Sequence, residues 1–442
     1  MTLRNTSIDE QLAEARIRFA ETRPRTAEAQ AKASEHMPGG NTRTVLFHPP
    51  FPIRIAHGEG ARITDLDGHT YVNLLGEYTA GVFGHSHPAI RAAIERAVAG
   101  GLNLGAHNSF EPRFAELVCE RFKAMEKVRF TNSGTEANLM AISTARAITG
   151  RDKVLVFTGG YHGALLYFGS GGSPLNVPFP YVAGRYNDVA GLDALIEEQG
   201  DELACIIAEP MMGSGGCIAA TPDFLRALRS AADRSGALLI LDEVMTSRLH
   251  SGGVHGELGV MPDLLTLGKW VGGGSSFGAF GGRADIMDRF DPNRADALSH
   301  AGTFNNNVIT MSAGIAALEE AYTPEIALEL NARGDRLRES LNRIFRSAGV
   351  ELQAIGLGSL MAVHGTTRPI RSVDDLKAAN PAIKELLFLD LLEHGYYMAD
   401  RGFIALSTAV TEEDIAGFLE TVECIVADRL PVFRSEAQPA AG

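Results

Sequence analysis

Cysteine is sparse: Cys119, Cys205, Cys217 and Cys424 are the four in 442 residues, they lie far apart, and none forms a CxxC pair. That spacing argues against a disulfide framework or a zinc site and fits reduced, mostly buried thiols of a cytoplasmic protein. No stretch approaches the roughly 20 apolar residues of a membrane span. The charged, helix-like N-terminus MTLRNTSIDEQLAEARIRFAETRPRT lacks the apolar core of a signal peptide. Basic charge is short as well, with 40 Lys and Arg against 54 Asp and Glu for a formal charge of -14. A nucleic-acid or anionic-membrane binder would need a cationic face, so neither partner is expected. No G-x-G-x-x-G opens a helix after a first strand, which argues against a dinucleotide module. His85 and His87 in GHSHP have no carboxylate neighbours, and no metal site is expected there.

What is present is an ordinary globular composition, 45% hydrophobic and 21% charged. The chain is too long for one compact core, so a large domain and a smaller one are expected. An amphipathic helix is expected over residues 9–36, stopping at Pro38-Gly39-Gly40. Two or three short strands follow before Leu75, joined at Gly60 and at the Asp67-Gly68 turn. Between about 85 and 330, helical stretches alternate with the apolar runs KVRFTN, KVLVFTG, LACIIAEP, ALLILDEV, DLLTLGK and FGAFGG. Such alternation predicts an α/β domain with a large, mostly parallel sheet. A helical connection near 325–348 leads into a smaller α+β domain containing LQAIGLGSLMAVHG and FIALST. The expected divisions are 1–60, an N-terminal segment contributing to the small domain and the site entrance, 61–325, the large domain, and 326–442, the small domain.

In open α/β sheets ligands bind beyond the carboxyl ends of the strands, and here those ends carry the reactive residues. VRFTN leads into Ser133, Gly134 and Thr135 at the start of a helix, where backbone N–H groups and hydroxyls can hold a phosphate. Ser133 or Thr135 taken alone could equally cap that helix. KVLVFTGG is followed by Tyr161 and His162, an aromatic pair suited to stacking on a flat ligand or to ordinary packing. ALLILDEV buries Asp242, which is costly unless a cation meets it, whether a structural partner or a protonated pyridine nitrogen. DLLTLGK ends in Lys269, the only lysine between Lys153 and Lys377. Desolvation there favours the neutral amine a Schiff-base nucleophile needs; alternatively the side chain snorkels to the surface. A phosphate cup, a ring-nitrogen carboxylate and a Schiff-base lysine at successive strand ends point jointly to pyridoxal 5'-phosphate (PLP).

The motifs VRFTNSGTEA, GGYHG, AEPMMGSGG, LDEVMTSR, LGKW and HAGTFNNN resemble those of the class III aminotransferases of the type I PLP fold, including glutamate-1-semialdehyde aminomutase. The likeness runs from about Pro38 over nearly the whole chain. It implies that Ser133, Gly134 and Thr135 hold the cofactor phosphate, that Tyr161 and His162 lie against the ring, and that Asp242 pairs with its nitrogen. Glu209 of AEPMMGSGG and Val244, on the ring's other face, complete the cofactor site, and Lys269 attaches the cofactor. The resemblance further implies that Thr303 reaches the phosphate from a partner subunit, and hence a homodimer with shared active sites.

Two isolated arginines suit bidentate carboxylate binding or a salt bridge: Arg43 after the Gly39-Gly40 hinge and Arg401 before FIALST. NTRTVLFHPPFP with GEYTAGVFGHS is most similar to the β-amino-acid (β-phenylalanine type) aminotransferases of the class. By that likeness Arg43 grips the β-amino-acid carboxylate and Arg401 that of a keto acid such as 2-oxoglutarate or pyruvate. Tyr78, with Phe47, Phe51, Phe83 and Tyr161, is expected to form an apolar side pocket, bordered by His48. The alternatives are a glutamate-1-semialdehyde 2,1-aminomutase and a non-catalytic PLP-fold binding protein.

Overall fold

In the computed structural model, residues 7–434 are described. Residues 1–6 and 435–442, which belong to the first and last expected divisions, lie outside them. The helix expected over 9–36 is two helices, α1 (Ile8–Glu21) and α2 (Pro24–Ser34). Pro24 occupies the first turn of α2, and its ring drives Arg23 out of the helical region, to φ -128° and ψ 54°. The buried Arg23 guanidinium meets Tyr71 Oη at 2.9 Å from Nη2 and Asp65 at 3.6 Å, pinning the break to the meander that follows.

That meander is β1 (Ile55–Glu59), β2 (Arg62–Asp65) and β3 (Thr70–Asn73). β3 pairs in parallel with the short strand Tyr396–Tyr397, so this four-stranded sheet reaches across the boundary drawn at residue 61 into the C-terminal part of the chain. Arg16 and Glu385, 2.6 Å apart, join α1 to the same C-terminal part.

The large sheet has seven strands: β4 (Lys127–Thr131), β5 (Lys153–Phe157), β6 (Tyr181–Gly184), β7 (Leu203–Ala208), β8 (Leu238–Asp242), β9 (Leu264–Gly268) and β10 (Gly278–Gly282). Their order is β4-β10-β9-β8-β7-β5-β6, and β10 alone runs antiparallel to its neighbours. All six residues of β7 are buried, as expected for a strand covered on both faces, where each large apolar side chain contributes about 1.5–3 kcal/mol. Helix α3 (Gly134–Thr149) covers one face with Ala137, Ala141, Ile142 and Ala145, packed in one cluster with Ile207, Ile240, Leu264 and Phe280. Gly150, left-handed at φ 67°, ends it.

The 25-residue helix α4 (Pro324–Ala348), started by Thr323 and Pro324, carries the chain into the strands β11 (Gln353–Leu357), β12 (Leu360–His364) and β13 (Phe403–Ala405). Between β12 and β13 lies α5 (Pro381–Glu393). Every parallel strand of the large sheet ends on the same edge, and the candidate residues follow those ends. No helix among the described residues is long and apolar enough to cross a membrane.

Candidate active site

Asp242 closes β8, its Cα in register with Thr266 of β9. The carboxylate is buried, and both of its oxygens accept hydrogen bonds. Oδ2 accepts from Asn138 Nδ2 at 2.8 Å and meets His162 Nδ1 at 2.8 Å; Oδ1 accepts from the Val244 amide at 3.0 Å. Burial pushes the His162 pKa down, but the hydrogen bond and charge of Asp242, with the field of Glu209, outweigh it, so the net shift is upward. The imidazole, favoured in its protonated form, therefore donates from Nδ1 to the Asp242 carboxylate.

Glu209, one residue beyond β7, is buried and accepts from the backbone amides of Tyr161 and Gly213, each at 3.0 Å. Burial and the nearby Asp242 raise its pKa above the ordinary carboxylate range, against the pull of His162. Lys269 follows β9 in the left-handed region at φ 54°, a conformation that costs a non-glycine residue energy and collects at functional sites. It keeps part of its surface open, yet desolvation brings its pKa down to about 8, opposed by Asp242 and Glu209 and assisted by Arg401 and Arg43.

Ser133 caps α3, its Oγ accepting from the Glu136 amide at 3.2 Å, so the capping alternative holds for this side chain. The cap leaves the amides of the first turn, including those of Gly134 and Thr135, at the helix's positive end. Gly134 is required there, because a Cβ would lie 2.9 Å from the Val244 methyls. Val244 is thereby packed onto the turn. Tyr161 presents an aromatic ring that is 41% exposed, edge-on to Tyr167 at 5.8 Å.

The two arginines occupy different surroundings. Arg43 sits on an exposed loop and pairs with Glu77. Arg401 lies over the Tyr78 ring, 4.9 Å from its centroid, and donates to Ser214 Oγ at 3.3 Å; no carboxylate forms an ion pair with it among the described residues. Tyr78 is buried, stacked on Phe403 at 5.5 Å, with its hydroxyl donating to Val45 O at 3.1 Å.

Part of the expected side pocket packs elsewhere. Phe51 lies against Phe19 of α1 at 5.3 Å, and Phe83 is buried edge-on to Tyr322 at 6.4 Å. His48 is held between Phe19 and Phe388, where burial brings its pKa down to about 4. These three side chains belong to the core. Phe47 and Tyr161 remain exposed. Thr303 is exposed on the segment 301–307, and no hydrogen bond joins it to Ser133, Gly134 or Thr135 among the described residues; its neighbour Asn305 bonds Asn132 Nδ2 at 3.0 Å. His85 is engaged by Asn73 at 2.9 Å.

Sequence reasoning passed over Asn138, Thr266 and Glu77. Asn138 binds Asp242, donates to His162 O at 3.0 Å and accepts from Thr266 Oγ1 at 2.7 Å. Its signal was a polar side chain on an apolar helix face. Glu77, Tyr78 and Thr79 all have positive φ without being glycine, which only the backbone shows.

A buried carboxylate, a desolvated lysine, a helix N-terminus and an exposed aromatic ring, all following strand ends on one edge of the sheet, fit PLP in the chemistry of every donor. The chain belongs to the class-III aminotransferases: the family model described as Aminotransferase class-III matches residues 47–426. It is accordingly a PLP-dependent aminotransferase of the type I fold. It is 51% identical over 419 residues to the beta-phenylalanine transaminase of Variovorax paradoxus, covering 94% of this chain and 96% of that protein. A solved beta-phenylalanine aminotransferase from Variovorax paradoxus superposes with a TM-score of 0.95 at 48% identity, over 97% of this chain and 99% of that one. An omega-transaminase from Sphaerobacter thermophilus gives 0.85 at 36% identity, over 91% and 97%. A glutamate-1-semialdehyde-aminomutase from Pseudomonas aeruginosa PAO1 gives 0.88 at 24% identity over 95% and 98%, a likeness of fold alone.

Proposed function

We propose that this aminotransferase takes the amino group of an aromatic or aliphatic β-amino acid resembling β-phenylalanine and delivers it to a keto acid such as 2-oxoglutarate or pyruvate. One observation carries the reading: two separate arginines meet adjacent residues of one turn, Arg43 pairing with Glu77 and Arg401 lying over the Tyr78 ring, 4.9 Å from its centroid. An amino acid whose carboxylate is one carbon further from the amine needs its own anchor, and Arg43 provides a second position besides Arg401. The identity to the Variovorax paradoxus transaminase supports the same substrate class.

PLP, when bound, supplies an aldehyde for the amine and a ring that withdraws electrons from the amine-bearing carbon. In this reading Ser133, Gly134 and Thr135 bind its phosphate, Tyr161 and Val244 flank its faces, and Asp242, oriented by His162, keeps a proton on its ring nitrogen. Lys269 Nζ would attach the cofactor and, once freed, take the proton from the amine-bearing carbon and pass it to the cofactor, reversing that transfer when the keto acid is aminated; its depressed pKa brings the neutral amine within reach of physiological pH. Arg43 orients the β-amino acid through its carboxylate, Arg401 orients the keto acid, and Glu209 fixes the Tyr161 and Gly213 amides. Thr303, with the exposed Phe304 beside it, completes the phosphate site of a second copy in a homodimer.

The test is to incubate PLP-loaded enzyme with β-phenylalanine and 2-oxoglutarate or pyruvate. Glutamate or alanine forming in step with a β-keto acid supports the reading. Consumption of glutamate 1-semialdehyde without any external keto acid, in place of these products, would favour the aminomutase.

A further inference from the structure

A cleft of about 390 Å³ opens between the Gly213–Gly216 loop and the start of α5, with Arg401 in its wall. Four basic side chains line it. Lys377 is neutralised by Asp374 at 2.7 Å. His364 engages Gly216 O at 2.8 Å, and burial lowers its pKa to about 4, so it carries no charge at neutral pH. Lys384 and Arg401 remain. Neither side chain forms an ion pair, and Lys384 has no hydrogen bond among the described residues. Asp400, the nearby carboxylate, is committed to the Arg401 backbone amide at 2.8 Å and lies beyond ion-pair distance of Lys384.

The lysine is directed into this cleft. Its stem passes beside Gly402, whose absent Cβ would lie 2.9 Å from Lys384 Cδ; glycine is required at 402 by its φ of 88° and by the Val363 carbonyl, which a Cβ would approach to 2.3 Å. Lys384 also sits in the first turn of the 13-residue α5, whose positive end faces the same space through Asn380 and Pro381. Two partly buried cations that share one cavity and meet no carboxylate in an ion pair suit an anion placed between them. One of the pair is the arginine assigned above to the keto acid.

We infer that Lys384 binds the distal carboxylate of the keto-acid acceptor while Arg401 holds the carboxylate beside the keto group, making this a subsite for dicarboxylates. The inference rests on the keto-acid half of the proposed function. It separates acceptors: a dicarboxylate such as 2-oxoglutarate engages both cations, whereas a monocarboxylate such as pyruvate engages one.

The test reads binding without turnover. Calorimetric titration of the PLP-loaded enzyme with glutarate and with butyrate compares a dicarboxylate and a monocarboxylate that cannot react. Wild type is expected to favour glutarate, and Lys384→Met or Lys384→Gln to lower the glutarate-to-butyrate ratio about ten- to hundredfold, the size of a lost charged hydrogen bond, with Lys384→Arg restoring most of it. Equal wild-type affinity for the two acids would overturn the inference. So would equal losses for both in the variants, or an Arg43→Ala variant that abolishes the preference while Lys384→Met keeps it. The amine half of the proposed function is judged apart, by whether β-phenylalanine reacts with wild type.

Discussion

Asn138 donates to Asp242 Oδ2 at 2.8 Å while accepting from Thr266 Oγ1 at 2.7 Å, so one amide ties α3 to β8 and β9 behind the cofactor site. The geometry predicts that Asn138→Leu, which keeps the volume and removes the donor, lowers kcat about tenfold or more, since hydrogen bonds to charged groups contribute about 1.5–3 kcal/mol. Asp242→Asn is expected to cost more, because it removes the charge itself. Steady-state kinetics on the two variants, with PLP content measured alongside, checks the order.

Lys269→Ala is expected to abolish the absorption band of lysine-linked cofactor and reduce turnover by at least about a hundredfold, the lower range for general acid–base catalysis. In wild-type apoenzyme the attacking species is the neutral amine. With a pKa near 8, the rate of PLP attachment should therefore climb as pH rises through 8 and level off above it. Stopped-flow reconstitution across pH 6–10 checks the sign.

Arg43 and Glu77 form an exposed pair, which under the proposed assignment a substrate carboxylate displaces. Arg43→Ala should raise KM for β-phenylalanine about tenfold or more and leave KM for the keto acid far less affected. Glu77→Gln should lower the β-phenylalanine KM about two- to fivefold, consistent with the small worth of an exposed ion pair.

His48 and His364 are buried, and desolvation holds each near pKa 4, below the ordinary 6.5. In the window between those values the unfolded chain binds protons that the folded chain refuses. Stability is thus complete above about pH 6.5 and falls as pH drops toward 4, by up to about 3 kcal/mol for each histidine. Urea melts at pH 7 and pH 5 measure the loss, and His48→Gln, which cannot gain that proton, should show a shallower decline.

The strand ends were legible because each buried run is a block of aliphatic residues broken abruptly by a polar one: Asp242 after LLIL, Lys269 after LLTLG. Periodicity also placed the meander turns at Gly60 and Asp67-Gly68. It missed the break at Arg23, although Pro24 marked it, because the apolar spacing continues on both sides. Nearness in sequence to Arg43 and Tyr78 puts Phe51 and Phe83 in the pocket and His48 at its border, yet their rings are claimed by the core partners Phe19, Phe388 and Tyr322, which lie far away along the chain. The pairing of Arg43 with Glu77 and the shared wall of Arg401 and Lys384 join segments no local pattern relates.

The β-amino-acid assignment is tested most directly by a spectral titration. PLP-loaded enzyme is mixed with β-phenylalanine in the absence of any acceptor, and 2-oxoglutarate or pyruvate is added afterwards. The account predicts that the lysine-linked band gives way to that of pyridoxamine phosphate and that the keto acid restores it. A band untouched by β-phenylalanine, but bleached by glutamate 1-semialdehyde or another amine, would contradict the assigned substrate while leaving the PLP chemistry standing.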